Sequence, residues 1–371
     1  MTQNFVSVRN QINAFLYREI LKKIFFQIDP ETIHDRMVSI GRFLGSSAVT
    51  RSLTSFFLSY SNKRLEQQIL GINFPNPIGL AAGFDKDARL TDIMPSVGFG
   101  FAEVGSITGE PCEGNPKPRL WRLKKSKVLV VNYGLKNEGC QKIAQRLKKT
   151  FKIPIGTNIA KTNNLNTVNM DAGIKDYANA FKKFADIGDY FTINISCPNA
   201  YGGQPFTDAK SLDRLLEIID QIPTSKPIFL KLSPDLSKRE IDAILDVVSN
   251  HRVHGFVCTN LTKNRDNNKI VERTVPEKGG LSGKVVDDLA TETIRYIYKN
   301  TKGKYVIIGC GGVFSAEDAY KKIKSGASLV QLITGMVFEG PQVISEINQG
   351  LVRLIERDRF RNIKEAVGSE A

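Results

Sequence analysis

The chain has 371 residues, too many for a minimal module and too few for three ordinary domains. Its 41% hydrophobic and 24% charged residues are typical of a globular protein, which excludes disordered and fibrous classes. Lysine and arginine number 52 against 38 acidic residues, and this net charge of +14 predicts an anionic partner: nucleic acid, membrane lipid, a phosphate cofactor or an acidic substrate.

Cysteine and histidine usage restricts the class further. The five cysteines are dispersed without a CxxC pair and there are three histidines, which argues against a disulfide framework and against a metal centre. No apolar run reaches the roughly 18–20 residues of a membrane span, and charges interrupt each apolar stretch near the start, unlike in a secretory signal. These features predict an intracellular globular protein without a transmembrane helix.

Residues 1–64 are predicted to form a helical extension, followed by one catalytic domain over residues 65–371. Apolar residues recur at helical spacing through Ile24, and the segment 29–31 (DPE) is typical of the start of a second helix. One apolar face of that second helix comprises Ile33, Met37, Ile40 and Leu44, and a third apolar cluster lies at 56–58. This basic pair of helices is either an interfacial membrane anchor or, slightly favoured, an αα-hairpin packed on the main domain; the two are compatible.

After a short predicted hairpin at 65–76, apolar β-rich runs alternate with helical patterns eight times. The runs span residues 77–83, 99–106, 154–160, 190–198, 227–233, 255–260, 305–312 and 329–335. Continuous apolar runs predict a parallel sheet covered by helices, and eight of them fit an α/β fold of the (β/α)8 TIM-barrel type. An open sheet with an early GxGxxG is not indicated. Three long segments, 107–131, 199–210 and 261–282, are predicted to be loops over the active site.

Glycine-rich motifs follow the late strands, at 279–283 (GGLSG), 309–312 (GCGG) and 334–335 (TG). Each motif alone is compatible with an ordinary turn. Together they lie where barrels commonly bind phosphate through backbone N–H groups. They predict a phosphorylated cofactor such as FMN, with a phosphorylated substrate as the alternative.

Several polar side chains at strand ends indicate a heterocyclic acid as substrate. An asparagine amide both donates and accepts, which suits the edge of a pyrimidine ring. Four asparagines stand out in this respect: Asn132, Asn194, Asn199 and Asn260. Lys231 lies inside a strand, where a cation needs a ligand or a partner acid, while Lys86 is either a ligand cation or a solvated loop charge.

Cys197 follows the fourth predicted strand in NISCPN. A thiol with an ordinary pKa of about 8.5, lowered by a nearby cation, could act as a base near neutral pH. Cys258 and Cys310 are instead predicted to be small buried apolar residues.

Eight motifs, in order over roughly residues 65–350, together resemble the dihydroorotate dehydrogenase family. They are AAGFDKD (81–87), EVGSITGEPCEGNPKPRLWR (103–122), NISCPN (194–199), KLSPDLS (231–237), TN (259–260), GGLSG (279–283), GCGG (309–312) and LVQLITG (329–335). The segment 17–37 resembles the helical extension of the membrane-associated, quinone-dependent class, where it forms the mouth of a quinone tunnel. The resemblance implies a TIM barrel, FMN, oxidation of dihydroorotate to orotate in pyrimidine biosynthesis, and a quinone as electron acceptor.

The resemblance also implies roles for individual residues. It assigns FMN contacts to Ala82, Gly83, Lys86, Ser106, Asn158, Asn194, Lys231, Thr259, Gly283, Gly312, Thr334 and Gly335. It assigns dihydroorotate contacts to Lys86, facing the carboxylate, and to Asn132, Asn194, Asn199 and Asn260. It makes Cys197 the base that removes the C5 proton while the C6 hydride passes to flavin N5.

This sequence departs from the quinone-dependent class at four places. Cys197 stands where that class carries serine, and cysteine is typical of the soluble classes. The segment 132–137 (NYGLKN) is one residue shorter than usual, Ile333 replaces a common aromatic, and Leu261 replaces a hydroxyl residue. A soluble acceptor such as fumarate is therefore an alternative to quinone, although the extension favours peripheral association with a membrane, at the cytoplasmic face of the inner membrane in a bacterium.

A second alternative is a flavin barrel that acts on RNA, such as a tRNA-dihydrouridine synthase. Residues 117–152 contain twelve lysines and arginines and one glutamate, and such a segment could follow a phosphate backbone. No appended RNA-binding domain is indicated, and the four asparagines suit a free pyrimidine acid better. We therefore expect no nucleic-acid partner, and the destination of the basic segment, the quinone type and the oligomeric state stay open.

Overall fold

Residues 3–371 are described by the computed structural model, and the first of them form three helical stretches. The first stretch runs without a break through α1 (Gln3–Phe15), a π-helical turn (Leu16–Leu21) and α2 (Lys22–Phe25). It is followed by α3 (Pro30–Gly45) and α4 (Ala48–Leu58). The Asp29 side chain accepts the Thr32 N–H at 2.8 Å and so caps α3, as the segment 29–31 predicted. The sequence predicted two helices here, but there is a third: the apolar cluster at 56–58 lies at the end of α4.

A short hairpin, β1 (Gln67–Ile69) and β2 (Ile72–Phe74), connects these helices to the main body, as predicted. Phe74 packs at 5.5 Å, ring centroid to ring centroid, against Phe101 at the start of a barrel strand. The same apolar cluster contains Tyr190 and Leu329, which also begin barrel strands. The hairpin therefore covers the amino-terminal end of the barrel, opposite to the strand ends that carry the polar residues.

Eight parallel strands close into a barrel, and each predicted run coincides with one of them, although β4 extends one residue beyond its run. In chain order they are β3 (Ile78–Leu80), β4 (Phe101–Ile107), β7 (Ile155–Ile159), β8 (Tyr190–Asn194), β9 (Ile228–Leu232), β10 (Gly255–Cys258), β12 (Val306–Cys310) and β13 (Leu329–Leu332). Each strand pairs with the next along this series, and β13 pairs with β3 to close the ring. The predicted (β/α)8 TIM barrel is confirmed.

Helices alternate with these strands and cover the barrel. They are α5 (Met94–Val97), α6 (Gly139–Leu147), α7 (Met170–Lys183), α8 (Ala209–Asp220), α9 (Lys238–Val248), α10 (Asp287–Thr301), α11 (Ala316–Lys324), α12 (Thr334–Glu339) and α13 (Val343–Arg357). Their buried faces pack on the apolar outer surface of the strands to form the main core. Within residues 3–371, no helix combines the length and the apolar character needed to cross a membrane.

Two of the segments predicted as long loops contribute instead to a second sheet. Strands β5 (Leu120–Leu123), β6 (Val128–Val131) and β11 (Gly280–Gly283) pair antiparallel in the order β5-β6-β11. The motif GGLSG is compatible by its sequence with an ordinary turn, but residues 280–283 form a strand that pairs along its length with 128–131. This sheet stands over the carboxyl end of the barrel and carries a small apolar core of its own.

Candidate active site

One cavity of about 500 Å³ extends from the carboxyl ends of the barrel strands to the helices at the start of the chain. Its outer part is lined by the predicted apolar face of α3, namely Ile33, Met37, Ile40 and Leu44. Its inner part is lined by polar groups and glycines at the strand ends. The cavity is therefore an apolar passage that leads to a polar chamber.

Fourteen of the sixteen residues predicted for the site line this cavity. They are Ala82, Gly83, Lys86, Ser106, Asn194, Cys197, Asn199, Lys231, Thr259, Asn260, Gly283, Gly312, Thr334 and Gly335. Asn158 is hydrogen-bonded directly to Ser106, and Asn132 is connected to Asn199 through the Asn115 amide. Cys310 was predicted to be a buried apolar residue, yet it also lines the chamber, whereas Cys258 is fully buried.

Ser106 connects Asn158, near the end of β7, with Asn194, the last residue of β8. The Asn194 amide donates to the Ser106 hydroxyl at 2.9 Å, and this hydroxyl donates to the Asn158 side-chain carbonyl at 2.5 Å. On the other side, the Asn260 amide donates to the Asn194 side-chain carbonyl at 3.2 Å. These bonds fix which way each amide points, so the groups left to a ligand are defined in advance.

Glu103 lies beneath this network and was missed by the sequence analysis. Its carboxylate is fully buried and accepts the Asn158 amide at 2.7 Å, the Thr192 hydroxyl at 3.0 Å and the Gln331 amide at 2.9 Å. The available signal was an acid inside the otherwise apolar strand β4, because a buried carboxylate requires several donors. Glu103 thus orients Asn158 and Gln331 from below.

Cys197 lies three residues beyond β8, in the wall of the chamber. Burial raises the pKa of its thiol above the ordinary value, while the backbone N–H of Asn199 and the charge of Lys161 act in the opposite direction. A nearby cation, Lys161, does act to lower this pKa as expected, but desolvation outweighs it and the net shift is upward. Lys161 is buried, and its ammonium donates to the Tyr201 carbonyl at 2.7 Å, so it also holds the loop that follows Cys197.

Lys86 is a partly buried cation in the wall of the chamber and not a fully solvated loop charge. Burial lowers its pKa to about 8. Its ammonium nitrogen lies 3.4 Å from Nε2 of His34 on α3, and that same Nε2 lies 2.8 Å from the Phe84 carbonyl. Because Lys86 lines the cavity, its charge is available to an anionic ligand.

Asn132 and Asn199 are held by a residue that the sequence analysis did not identify. The Asn115 amide donates to the Asn132 side-chain carbonyl at 3.1 Å and to the Asn199 backbone carbonyl at 3.1 Å. The Asn199 amide in turn donates to the Val131 carbonyl at 2.8 Å. The second sheet and the loop after β8 are therefore joined through amides at the chamber.

The floor of the chamber has the donors that an anionic, phosphorylated cofactor needs. The buried ammonium of Lys231 on β9 makes no hydrogen bond or ion pair with any residue from 3 to 371, and the Gln331 side-chain oxygen is likewise without a donor there. After β12, the backbone N–H groups of Gly311 and Gly312 point to no acceptor within the same residues. Both glycines have positive φ, +122° and +74°, and such consecutive free N–H groups form an anion-binding concavity.

Comparison with known proteins identifies the family. A sequence profile described as dihydroorotate dehydrogenase matches residues 64–355. The chain belongs to the dihydroorotate dehydrogenase family. The predicted family, and with it an oxidoreductase of this kind, is confirmed.

Individual members of the family resemble the chain over nearly its whole length. A protein of Trichodesmium erythraeum named dihydroorotate dehydrogenase (quinone) is 36% identical over 95% of this chain and 98% of its own. A protein of Crocosphaera subtropica with the same name is 41% identical over 84% of this chain and 85% of its own. The crystal structure of the Eimeria tenella enzyme in complex with ferulenol has a TM-score of 0.81 at 28% identity, covering 92% of this chain and 96% of that chain. The matches to the Trichodesmium protein and to the Eimeria structure each cover more than nine-tenths of this chain.

The four positions at which the sequence departs from the quinone-dependent class all border the cavity: Cys197, Leu261, Ile333 and, in the segment 132–137, residues 133–136. In that segment Gly134 and Leu135 both have positive φ, +64° and +61°. Such a conformation is unusual for leucine. The shortened segment therefore turns tightly at the chamber and directs Leu135 into it.

Proposed function

We propose that this dihydroorotate dehydrogenase uses FMN to oxidise dihydroorotate to orotate and passes the electrons to a quinone that enters between the amino-terminal helices. The observation that carries the proposal is the single cavity that joins the Lys86–asparagine–Cys197 chamber to the apolar face of α3. A polar acid and an apolar acceptor need different surroundings, and this cavity offers both. The names of the relatives support the same substrate and the same class of acceptor.

The donors of the chamber floor suit FMN. Lys231 and the Gln331 amide group would hold the isoalloxazine ring, with Ser106, Asn158, Asn194 and Thr259 around it. The phosphate would be held by the backbone at Gly311–Gly312 and by Gly283, Thr334 and Gly335, with Ala82 and Gly83 at the ring edge. Bound FMN supplies the hydride acceptor and relays electrons to the second substrate.

Substrate recognition rests on one cation and several amides. The Lys86 ammonium would pair with the carboxylate of dihydroorotate, as a charge-assisted hydrogen bond in a buried site. Asn132, Asn194, Asn199 and Asn260 would match the alternating N–H and C=O groups of the ring. The hydrogen bonds already formed among these amides keep them oriented before the substrate arrives.

Cys197 would act as the general base. The Sγ atom takes the proton from C5 as a hydride leaves C6, and the C5–C6 single bond becomes the double bond of orotate. Lys161 stabilises the charged form of the thiol, since its positive charge lowers the thiol pKa against the effect of burial. The proton is later released to solvent from Sγ.

The extension, proposed as a functional unit over residues 1–64 beside the catalytic unit over 65–371, would guide the quinone and contact a membrane. Its outer surface exposes an unusual number of large apolar side chains. They include Phe5, Val8, Ile12, Phe15, Ile20, Ile24, Ile40, Phe43, Val49, Leu53, Phe56 and Phe57. An apolar face of this size on short helices is typical of insertion into the lipid interface.

The proposal is tested on the purified holoenzyme. Mass spectrometry of the released cofactor should give FMN, and anaerobic addition of dihydroorotate should bleach the flavin absorbance. Dihydrouracil, which lacks the carboxylate that Lys86 would bind, is the matched control and should bleach it far more slowly. Reoxidation should be fast with a short-chain quinone and slow with fumarate; the reverse preference would refute the quinone, and absence of bleaching by dihydroorotate would refute the substrate.

A further inference from the structure

Glu31, at the start of α3, is a buried carboxylate surrounded by cations of the basic segment 117–152. Arg119 donates to it from Nη2 at 2.8 Å and from Nε at 3.1 Å, and the ammonium groups of Lys117 and Lys136 lie 3.5 and 3.6 Å away. Burial opposes ionisation, yet the hydrogen bond and charge of Arg119 hold the pKa of Glu31 below its ordinary value. The extension is therefore held to the second sheet by an ion pair that is charged at neutral pH.

Arg119 uses its remaining donor group on the loop that precedes β5. Its Nη1 donates to the carbonyls of Glu113 and Asn115, both at 2.8 Å. Its own carbonyl accepts the backbone N–H of Asn132 at 2.8 Å. A planar guanidinium that satisfies a carboxylate on one edge and two carbonyls on the other fixes the relative position of all three.

Asn115 continues this chain of bonds to the substrate side. Its side-chain amide donates both to the Asn132 side chain and to the Asn199 carbonyl at 3.1 Å, and its side-chain oxygen accepts the Asn163 amide at 3.0 Å. Asn132 and Asn199 are two of the asparagines assigned to dihydroorotate. A path of hydrogen bonds, continued through the residue Asn115, thus runs from Glu31 in the extension to the Asn132 side chain and the Asn199 backbone carbonyl.

We propose that Glu31 and Arg119 are positioning residues for dihydroorotate, which couple the seating of the extension on the barrel to the orientation of Asn132 and Asn199. The proposal rests on the proposed function in one respect, that these asparagines bind the substrate. Removing the Glu31 charge leaves Arg119 buried without its partner, an arrangement that is strongly unfavourable, so the guanidinium moves away. The carbonyls of Glu113 and Asn115 then lose their hydrogen bonds from Arg119, so the loop that carries Asn115 is no longer fixed. Asn132 and Asn199 in turn lose their fixed positions.

The test compares Glu31→Gln with Glu19→Gln in the full-length holoenzyme. Glu19 is an exposed carboxylate on the same extension, paired with Lys23, and so provides the matched control. Three quantities are measured: the Kd of orotate from the flavin absorbance change, the rate of flavin reduction at saturating dihydroorotate, and the KM of a short-chain quinone. Glu31→Gln should raise the orotate Kd about tenfold, a loss comparable to one well-placed hydrogen bond, with the other two quantities and the control changed less than about twofold.

Two further variants separate positioning from a general loosening of the fold. Arg119→Lys keeps the charge but lacks the fork that reaches both Glu31 and the carbonyls, and it should also weaken orotate binding about tenfold. In a protein that already carries Asn115→Ala, the Glu31→Gln change should raise the orotate Kd little further, because both substitutions interrupt the same path of hydrogen bonds.

Three results would overturn the proposal: an unchanged orotate Kd in Glu31→Gln and Arg119→Lys, full additivity with Asn115→Ala, or an equal loss of orotate binding, quinone KM and thermal stability. If dihydroorotate does not reduce the flavin of the unmodified protein, the proposed function fails instead, whatever the variants do.

Discussion

The ammonium nitrogen of Lys86 lies 4.0 Å from the centroid of the Tyr133 ring. The ring face attracts the cation. Burial nonetheless lowers the pKa of Lys86 to about 8, with Asp35 raising it and Lys136 lowering it to smaller degrees. A lysine with a lowered pKa is charged below that value and neutral above it, so the attraction for a substrate carboxylate is complete near pH 7 and is lost as the pH rises through about 8.

We therefore expect the Kd of orotate to be constant at neutral pH and to rise up to about tenfold per pH unit above about 8. Absorbance titration of the oxidised flavin between pH 6.5 and 9.5 measures it. In Lys86→Met, orotate binding should be weak over the whole pH range, and the plot of its Kd against pH should no longer bend near pH 8. A bend that persists in this variant would assign the titration to another group.

Cys197→Ala should abolish the reduction of the flavin by dihydroorotate while FMN stays bound. Loss of a general base typically costs about 100-fold to 10,000-fold in rate. Cys197→Ser should retain part of the activity with its pH profile moved upward, since a hydroxyl is a weaker acid than a thiol. Stopped-flow absorbance measures both rates. Near-normal reduction in the alanine variant would exclude the thiol as the base.

The wild-type rate of flavin reduction at saturating dihydroorotate should rise with pH into the alkaline range. Burial raises the pKa of the Cys197 thiol, so the fraction of thiolate is small at neutral pH and increases as the pH approaches the raised value. Lys161→Met removes a charge that lowers this pKa and should move the profile further upward. A profile that is flat from pH 7 to pH 9.5 would contradict this assignment.

Gly312→Ala should weaken FMN binding at least about tenfold. At φ +74°, a Cβ atom on residue 312 would lie 2.4 Å from Asp287 Cβ, so the loop after β12 must shift. Gly71→Ala is the matched control, because φ is +80° there and nothing lies within 4 Å of the added atom. The FMN content after gel filtration and the Kd by fluorescence are the measurements. Equal retention of FMN in both variants would place the phosphate elsewhere.

Lys322, fully buried in α11, donates to Asp287 Oδ1 at 3.0 Å. Breaking a buried ion pair on one side is strongly destabilising, and the half-exposed Lys321, 3.5 Å from Asp287, compensates the remaining charge only in part. Lys322→Met should therefore lower the free energy of unfolding by about 3–5 kcal/mol. Lys269→Met removes one of the two lysines that pair with the exposed carboxylate of Asp288 and should cost less than about 1 kcal/mol. Urea unfolding followed by circular dichroism compares the two, and similar losses would contradict the prediction.

Phe43→Asp and Leu53→Asp should each reduce binding to lipid vesicles about tenfold, because each inserts a charge into an apolar face. These side chains are 68% and 58% exposed, so the fold should tolerate the change. Ile218→Asp, on the barrel helix α8, is the control and should bind vesicles like the wild type. Co-sedimentation with vesicles measures binding, and flavin reduction should be unaffected in all three. Unchanged sedimentation of the first two variants would contradict a membrane-facing extension.

The sequence alone located the eight barrel strands and most of the chamber, because both depend on local patterns. Apolar strand runs recur with helices between them, and the carboxyl ends of parallel strands converge on one face. Residues as distant as Gly83 and Thr334 could therefore be assigned to one site without coordinates. The family motifs added the individual roles, which periodicity does not provide.

What the sequence left open depended on contacts between distant segments. The second sheet pairs residues 128–131 with 280–283, and neither segment indicates its partner by its own pattern. The basic segment 117–152 had no predicted destination, yet seven of its twelve cations meet carboxylates or carbonyls of the protein, so most of its charge is used internally. Likewise, only the packed structure shows that Lys86 lines the cavity and that burial raises the pKa of Cys197. Local periodicity determined the barrel and its polar end, whereas pairing and desolvation depend on which segments pack together, and the tertiary structure decided both.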